Sequence, residues 1–300
     1  WNSHELGLGA SPNCSFQVLK NHTFIGAKAE NPENPAVVTI STSINEGRSW
    51  EKLSEVDNPA HCPDRYADTI CRLPDDTLLL PLESRFPWNQ DPNYVHRSTD
   101  GGKTWSGPTG PYSEPVFMNT HWVGPNTGPG FLGACCYETM IAPMASGKLL
   151  AVIRYHGPVV PQWPLISTGR HPTYKTVFLA DSNDKGETWE NFRPLTNVHG
   201  QCHGFGVGLN DGSVVVTHDH RYIPGTPSGK AIISRDEGET WENEVYYPYF
   251  SSDPRGRSGF SESVVLNDNT ILTIAATTAK DLLNSPVGHT DVWAIRWKLV

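Results

Sequence analysis

One octapeptide occurs four times in this chain: Ser43-Ile-Asn-Glu-Gly-Arg-Ser-Trp50, Ser98-Thr-Asp-Gly-Gly-Lys-Thr-Trp105, Ser182-Asn-Asp-Lys-Gly-Glu-Thr-Trp189 and Ser234-Arg-Asp-Glu-Gly-Glu-Thr-Trp241. Its pattern is Ser-x-Asp-x-Gly-x-Thr-Trp, with Asn45 and Ser49 as the departures in the first copy. Each position has a job in a turn between antiparallel strands. Asp or Asn accepts backbone N–H bonds across the reversal, Gly supplies a positive φ, and Ser and Thr add local hydrogen bonds. Trp then brings a large apolar face to bury against a neighbouring unit. A feature repeated at this spacing commits the chain to an array of like units.

A second repeated segment, a strand, a polar turn and an apolar strand, precedes most of the octapeptides. It covers residues 69–80 around Asp75-Asp76, 139–152 around Ser146-Gly147, 204–217 around Asp211-Gly212 and 261–275 around Asp268-Asn269. Such punctuation between β-rich runs signals hairpins. Hairpin, octapeptide and one further strand make a four-stranded blade, and blades arranged in a ring make a β-propeller. Five units end near residues 50, 105, 189, 241 and 297, the last with the strand around Val292 to Leu299. The octapeptide spacings of 55, 84 and 52 residues place roughly thirty extra residues in one unit, in the Pro/Gly-rich stretches 106–133 and 156–173. Long loops on a rigid ring shape binding sites.

Composition agrees with an all-β reading. Glycine (27), proline (25) and aromatic residues (10%) suit short strands and tight turns, and no amphipathic helical stretch of useful length is present. The whole chain, 1–300, reads as a single propeller domain. A net charge of -9 with no Lys/Arg cluster argues against nucleic acid or an anionic membrane surface as partner. No apolar run reaches the ~18 residues that a bilayer span requires. The start at Trp1 and the sequons Asn13-Cys14-Ser15 and Asn21-His22-Thr23 fit a secreted or extracytoplasmic protein. Six cysteines allow up to three disulfides, with buried thiols as the alternative, and no pair has zinc-site spacing.

If the hairpins are equivalent, equal offsets from their turns mark equivalent places around the ring. Nine residues before the turn positions Asp76, Gly147, Gly212 and Asn269 stand Ala67, Glu138, His203 and Phe260. Seven after them stand Glu83, Arg154, Asp219 and Ala276, with Arg85, His156 and Arg221 two residues further on. Charged and titratable groups therefore recur where the inner strands are expected to meet a funnel, although any one of them could be a solvated loop charge.

The octapeptide resembles the Asp-box, or BNR repeat, of the sialidase (neuraminidase) superfamily, whose six-bladed propeller carries its boxes away from the active site. The resemblance implies that the box Asp residues are structural and that one further blade lies outside this sequence or is shared by its two ends. It also implies a glycan substrate. In that superfamily a catalytic Glu precedes a hairpin that ends in one of three arginines clamping a substrate carboxylate. Glu138 and Arg154 resemble that pair, Arg221 is placed like a second clamp arginine, and Arg65 is the nearest counterpart of another. Arg suits this task because its fork of donors matches a carboxylate. The nucleophilic tyrosine is matched here by Phe260, and phenyl cannot attack a sugar.

Three readings follow. The first is an exo-acting glycoside hydrolase on an acidic sugar, with Glu138 and Asp219 as acid and base, or Tyr66, Tyr137 or Tyr222 in place of the lost phenol. The second is a polysaccharide lyase, suggested by His199, His203, His218 and His220, in which Arg154 and Arg221 neutralise a uronate and His203 or Tyr222 removes a proton. The third is a carbohydrate-binding propeller in which Phe260 stacks on sugar faces. The expected catalytic set is thus Glu138, His203 and Asp219, and the expected binding set Arg65, Tyr137, Arg154, Arg221 and Phe260. His218-Asp219-His220 sets two imidazoles on one side of a strand, but a lone His-x-His is more often structural. No metal and no cofactor are expected.

Overall fold

A strand that must pair on both edges needs a turn that returns the chain in register, and five nearly identical turns do this here. In each, a Leu or Met N–H bonds to the carbonyl four residues on: Leu19 to Thr23, Leu73 to Thr77, Met144 to Lys148, Leu209 to Ser213 and Leu266 to Thr270, all at 2.8 Å. The fourth turn residue is left-handed in every case: His22 (φ 63°), Asp76 (φ 65°), Gly147 (φ 92°), Gly212 (φ 85°) and Asn269 (φ 57°). Gly, Asn and Asp tolerate that region best, which is why four of the five turns are legible. The first, Asn21-His22, lacks the Asp-Gly signature and was not anticipated.

The computed structural model describes residues 14–28, 37–57, 65–67, 69–84, 94–106, 116–117, 135–159, 173–196, 198, 200–220, 228–241, 245–250, 258–279 and 289–300. Among them are twenty strands in five antiparallel sheets, and no helix. The first sheet takes β1 (Cys14–Val18), β2 (Phe24–Lys28), β3 (Val37–Ser43) and β4 (Glu51–Asp57) in chain order. The second contains β5 (Arg65–Ala67), β6 (Cys71–Arg72), β7 (Leu78–Ser84), β8 (Tyr94–Ser98) and β9 (Val116–Phe117), with β5 and β6 both on β7. The third is β10 (Cys135–Pro143), β11 (Leu149–Val159), β12 (Thr173–Ser182) and β13 (Glu190–Pro194). The fourth is β14 (Gln201–Gly208), β15 (Val214–His220), β16 (Ser228–Ser234) and β17 (Val245–Phe250). The fifth is β18 (Ser258–Val265), β19 (Ile271–Ala279) and β20 (His289–Trp297). The four octapeptides join the third strand to the fourth in the first four sheets, as hairpin plus box plus strand requires. No helix among the described residues is long and apolar enough to cross a membrane.

The chain divides into two units, residues 1–141 with 184–190 and residues 142–183 with 191–300. In the first, Ile25, Ala27, Val38, Ile40 and Val56 of the first sheet pack on Leu78, Leu80 and Leu82 of the second and on Ile70 just before β6, with Trp105 against them. In the second, Val207, Leu209, Val215, Ala231 and Ile233 pack with Ile271 of the fifth sheet. Cys71 and Cys202 are free thiols, so the six cysteines do not form three disulfides.

Each octapeptide is a small knot of hydrogen bonds. Ser98 Oγ donates to Asp100 Oδ1 (2.8 Å) and accepts from Gly102 N (2.9 Å). Asp100 accepts from Thr104 N (2.9 Å) and Thr104 Oγ1 (2.6 Å), and Trp105 Nε1 donates to Gly102 O (3.1 Å). The copy at Ser234 to Trp241 repeats the Ser, Asp and Thr bonds: Ser234 Oγ donates to Asp236 Oδ1 (2.7 Å), Gly238 N to Ser234 Oγ (2.8 Å), and Thr240 N (2.8 Å) and Oγ1 (2.5 Å) to Asp236. Accepting so many donors holds the Asp100 and Asp236 carboxyls low, at about 2, with the Thr hydroxyl bond the largest cause in each. The knot Gly then meets the preceding sheet: a Cβ on Gly102 would lie 2.2 Å from Ile25 Cδ1, and one on Gly238 would lie 3.6 Å from Leu150 Cδ1.

Two predictions follow from these contacts. Ser98→Ala or Ser234→Ala strands a buried N–H, Gly102 or Gly238, and each is expected to destabilise the fold by ~1–3 kcal/mol in urea unfolding. His96 in β8 is buried, donates from Nδ1 to Ser106 O (3.0 Å), and burial pushes its pKa from 6.5 down to about 4. Since the folded state prefers the neutral ring, this stabilisation is complete above pH 6.5 and is lost as the pH falls towards 4. The loss is on the order of 3 kcal/mol, and unfolding of His96→Gln followed across that window is expected to lack it.

Candidate functional site

In the fourth sheet the box and the hairpin turn share one end, where Glu237 N donates to Gly212 O (3.1 Å). The opposite end is built from the start of β14 and the close of β15. There Gln201 pairs with His220 and Cys202 with Asp219, after which the register shifts and resumes at Phe205 with Thr217. His203 and Gly204 therefore oppose His218 alone, a β-bulge, and His203 takes a left-handed backbone (φ 54°). For a non-glycine residue inside a strand this conformation costs on the order of 1–3 kcal/mol and persists only where the surroundings impose it.

Gly204 supplies part of that imposition. A Cβ there would lie 2.5 Å from Val152 Cγ1 and 3.0 Å from Val177 Cγ1, so the fourth sheet can approach β11 and β12 only with a bare backbone at this point. Two residues beyond Val152 on β11 is Arg154, and the approach brings its Nη1 within 3.3 Å of His203 Nδ1. On the other side of the ring, His203 Nε2 faces Asp219 Oδ2 at 3.9 Å. The three side chains are buried, with relative exposures of 8% for Arg154, 4% for His203 and 0% for Asp219.

Donor chemistry fixes the tautomer. A guanidinium only donates, so Nδ1 accepts from Arg154 and the ring proton of neutral His203 sits on Nε2, directed at the Asp219 carboxylate. The arrangement is a permanent cation, an imidazole and a carboxylate in line, with Arg154 and His203 the two members that retain solvent contact. His218 is turned away from this line, donating from Nδ1 to the Asp219 carbonyl (2.8 Å).

Cys202, His203 and Asp219 also present ligand atoms within 4.8 Å of one another, all buried. A metal on Nε2 needs the proton on Nδ1, where it would point at the Arg154 N–H donors. The trio beside a guanidinium does not fit a resident metal.

Of the residues expected at the site, Arg154, His203 and Asp219 are brought together. Glu138 lies in β10, half-buried, in the first unit, and it too is left-handed (φ 41°) at the same nine-residue offset as His203. Tyr137 in β10, Arg65 in β5 and Phe260 in β18 are placed by their backbones. Around Phe260 the β18 to β19 register shifts between Ser258 and Ser261, an irregularity like that at His203. Arg221, His199 and Tyr222 lie outside the described residues. The sequence reading passed over Cys202 and the Arg154 to His203 contact; the available signal was the alternation Gly204-x-Gly206-x-Gly208, whose three missing side chains mark a close approach.

A family model described as BNR/Asp-box repeat matches residues 96–106, within the second box unit. The chain carries an Asp-box repeat and has a sialidase-like fold. Its Asp-box scaffold is similar to the GH93 alpha-L-arabinofuranosidase of Fusarium graminearum, at 15% identity, TM-score 0.60, and coverage of 96% of this chain and 80% of that one. The leech intramolecular trans-sialidase is similar at 17% identity and TM-score 0.54, over 87% of this chain and 36% of that one. An ulvan lyase of polysaccharide lyase family PL25 is similar at 13% identity and TM-score 0.54, over 94% of this chain and 66% of that one. No curated protein matches the sequence. At these identities the similarity is one of fold.

Gly204→Ala is expected to cost ~1–3 kcal/mol in urea unfolding by overpacking against Val152, and to lengthen the Arg154 to His203 contact, visible as a shifted His203 imidazole resonance.

Proposed function

We propose that this Asp-box protein is a carbohydrate-active enzyme that breaks glycosidic bonds beside a carboxylate-bearing sugar, by β-elimination with His203 as the proton-transfer group. One observation carries the reading: an imidazole stands between a guanidinium at 3.3 Å and a buried carboxylate at 3.9 Å. Arg154 is suited to neutralise a uronate carboxylate, which acidifies the C–H next to it. Nδ1 of His203 then takes that proton, the C–H pair becomes a C=C bond, and the C–O bond on the neighbouring carbon breaks. The departing glycosidic oxygen receives the proton back from Nδ1. In this reading the Asp219 carboxylate, 3.9 Å from Nε2, stabilises the transient imidazolium. Asp219, at 0% exposure, is here a positioning residue behind His203 and not the acid or base. Arg65, Tyr137, Arg221 and Phe260 are the sugar-binding residues of this reading.

Exo-acting hydrolysis of an acidic sugar is the second reading. It draws support from Glu138, a carboxylate in a left-handed strand position at the offset that His203 also occupies, and from the arabinofuranosidase and trans-sialidase among the similar folds.

Incubation with uronic-acid polymers, sialosides and other aryl glycosides separates these readings. Elimination is expected to release reducing ends together with ultraviolet absorbance from the unsaturated product. Reducing ends alone would replace it with hydrolysis, and no release from any substrate would leave a binding module. In the active assay His203→Gln is expected to lower kcat by ~10²–10⁴-fold, and Arg154→Lys to raise KM more than it lowers kcat.

A further inference from the structure

The contact at His203 Nδ1 has a consequence for when the imidazole can act. A neutral imidazole has one basic lone pair, and with the ring proton on Nε2 that pair is on Nδ1, where Arg154 Nη1 already sits at 3.3 Å. Protonating Nδ1 in this arrangement would break the hydrogen bond and set an imidazolium directly against a guanidinium, two like charges in a pocket where both groups are nearly removed from water. As it stands, the base is capped.

We infer that Arg154 is a substrate-operated cap on His203, which a sugar carboxylate lifts by drawing the guanidinium onto itself, so that the free acid, and not its ester, exposes the basic nitrogen. The inference rests on the proposed reading of His203 as the proton-transfer group and Arg154 as the carboxylate-binding one. Three features of the site support it. A carboxylate offers two oxygens to the guanidinium fork, a stronger pairing than one imidazole nitrogen can make. The cap and the base belong to different sheets, β11 and β14, so one can move without refolding the other. The bulge at His203-Gly204 and Asp219 behind Nε2 hold the imidazole from the far side, so the ring stays aimed while Nδ1 is vacated. Arg154 then determines specificity twice, once by holding the anion and once by releasing the base only when an anion is held.

The test uses the intact protein with 15N-labelled histidine. The His203 imidazole signals are assigned by their loss in His203→Gln, and the protein is titrated separately with sodium glucuronate, sodium N-acetylneuraminate and methyl glucuronate, the neutral ester. At least one of the two carboxylate sugars is expected to shift the His203 Nδ1 resonance saturably, while the ester at the same concentration leaves it in place. In Arg154→Gln the resonance is expected to start at the shifted position and to ignore all three ligands. An equal response to the ester, a saturating carboxylate that leaves Nδ1 unmoved, or no binding by either carboxylate would overturn the cap. The readout is independent of turnover. A lifted cap with full activity in His203→Gln would retain the switch and remove the base, whereas an inactive His203→Gln with an unmoved Nδ1 would do the reverse.

Discussion

At the box end of the sheets, a glycine stands against an apolar side chain of the sheet before it. Gly102 stands over Ile25, Gly186 over Leu79 and Gly238 over Leu150. These three belong to the Asp-boxes, so the hydrogen-bond knot that closes the turn also holds the glycine at φ values of 83–87° that other residues avoid. Turn chemistry and inter-sheet packing are thus one constraint, and it lies at the box end of the sheets.

The opposite end inverts this economy. There a bulge, a left-handed His203 and a buried Arg154, His203 and Asp219 are all unfavourable choices for stability taken singly. They sit among strands whose Val152, Val177, Val214, Val215 and Val216 are completely buried. Gly204 connects the two needs, since the same missing side chain that permits dense packing on Val152 and Val177 also brings Arg154 to the imidazole.

Much of the architecture was legible because turns announce themselves locally. Asp, Asn and Gly at left-handed positions, followed three or four residues later by Thr or Trp, are short-range signals that survive without any knowledge of the rest of the chain. The first hairpin escaped because His22 occupies the position that Asp, Gly or Asn fills elsewhere. Equal offsets from the turns put Arg154, His203 and Asp219 among the charged groups at the strand ends, and the structure brings those three together. The offsets could not show that Asp219 would sit behind His203, because strand register across a bulge depends on which residue is extruded, and that is decided by packing against another sheet. Nor could they show the contact from Arg154, which spans 49 residues and exists only through the close approach at Gly204.

The five hairpin turns are alike in their hydrogen bonds although their sequences differ, Asn21-His22 in one and Asp211-Gly212 in another. A frame whose joints tolerate such variety at one end, while its reactive groups sit at the other, has separable hardware. Residues at the strand ends around His203 can be exchanged for other chemistries while the joints continue to specify the same backbone, which makes each sheet a cassette for transplanting or evolving new specificities.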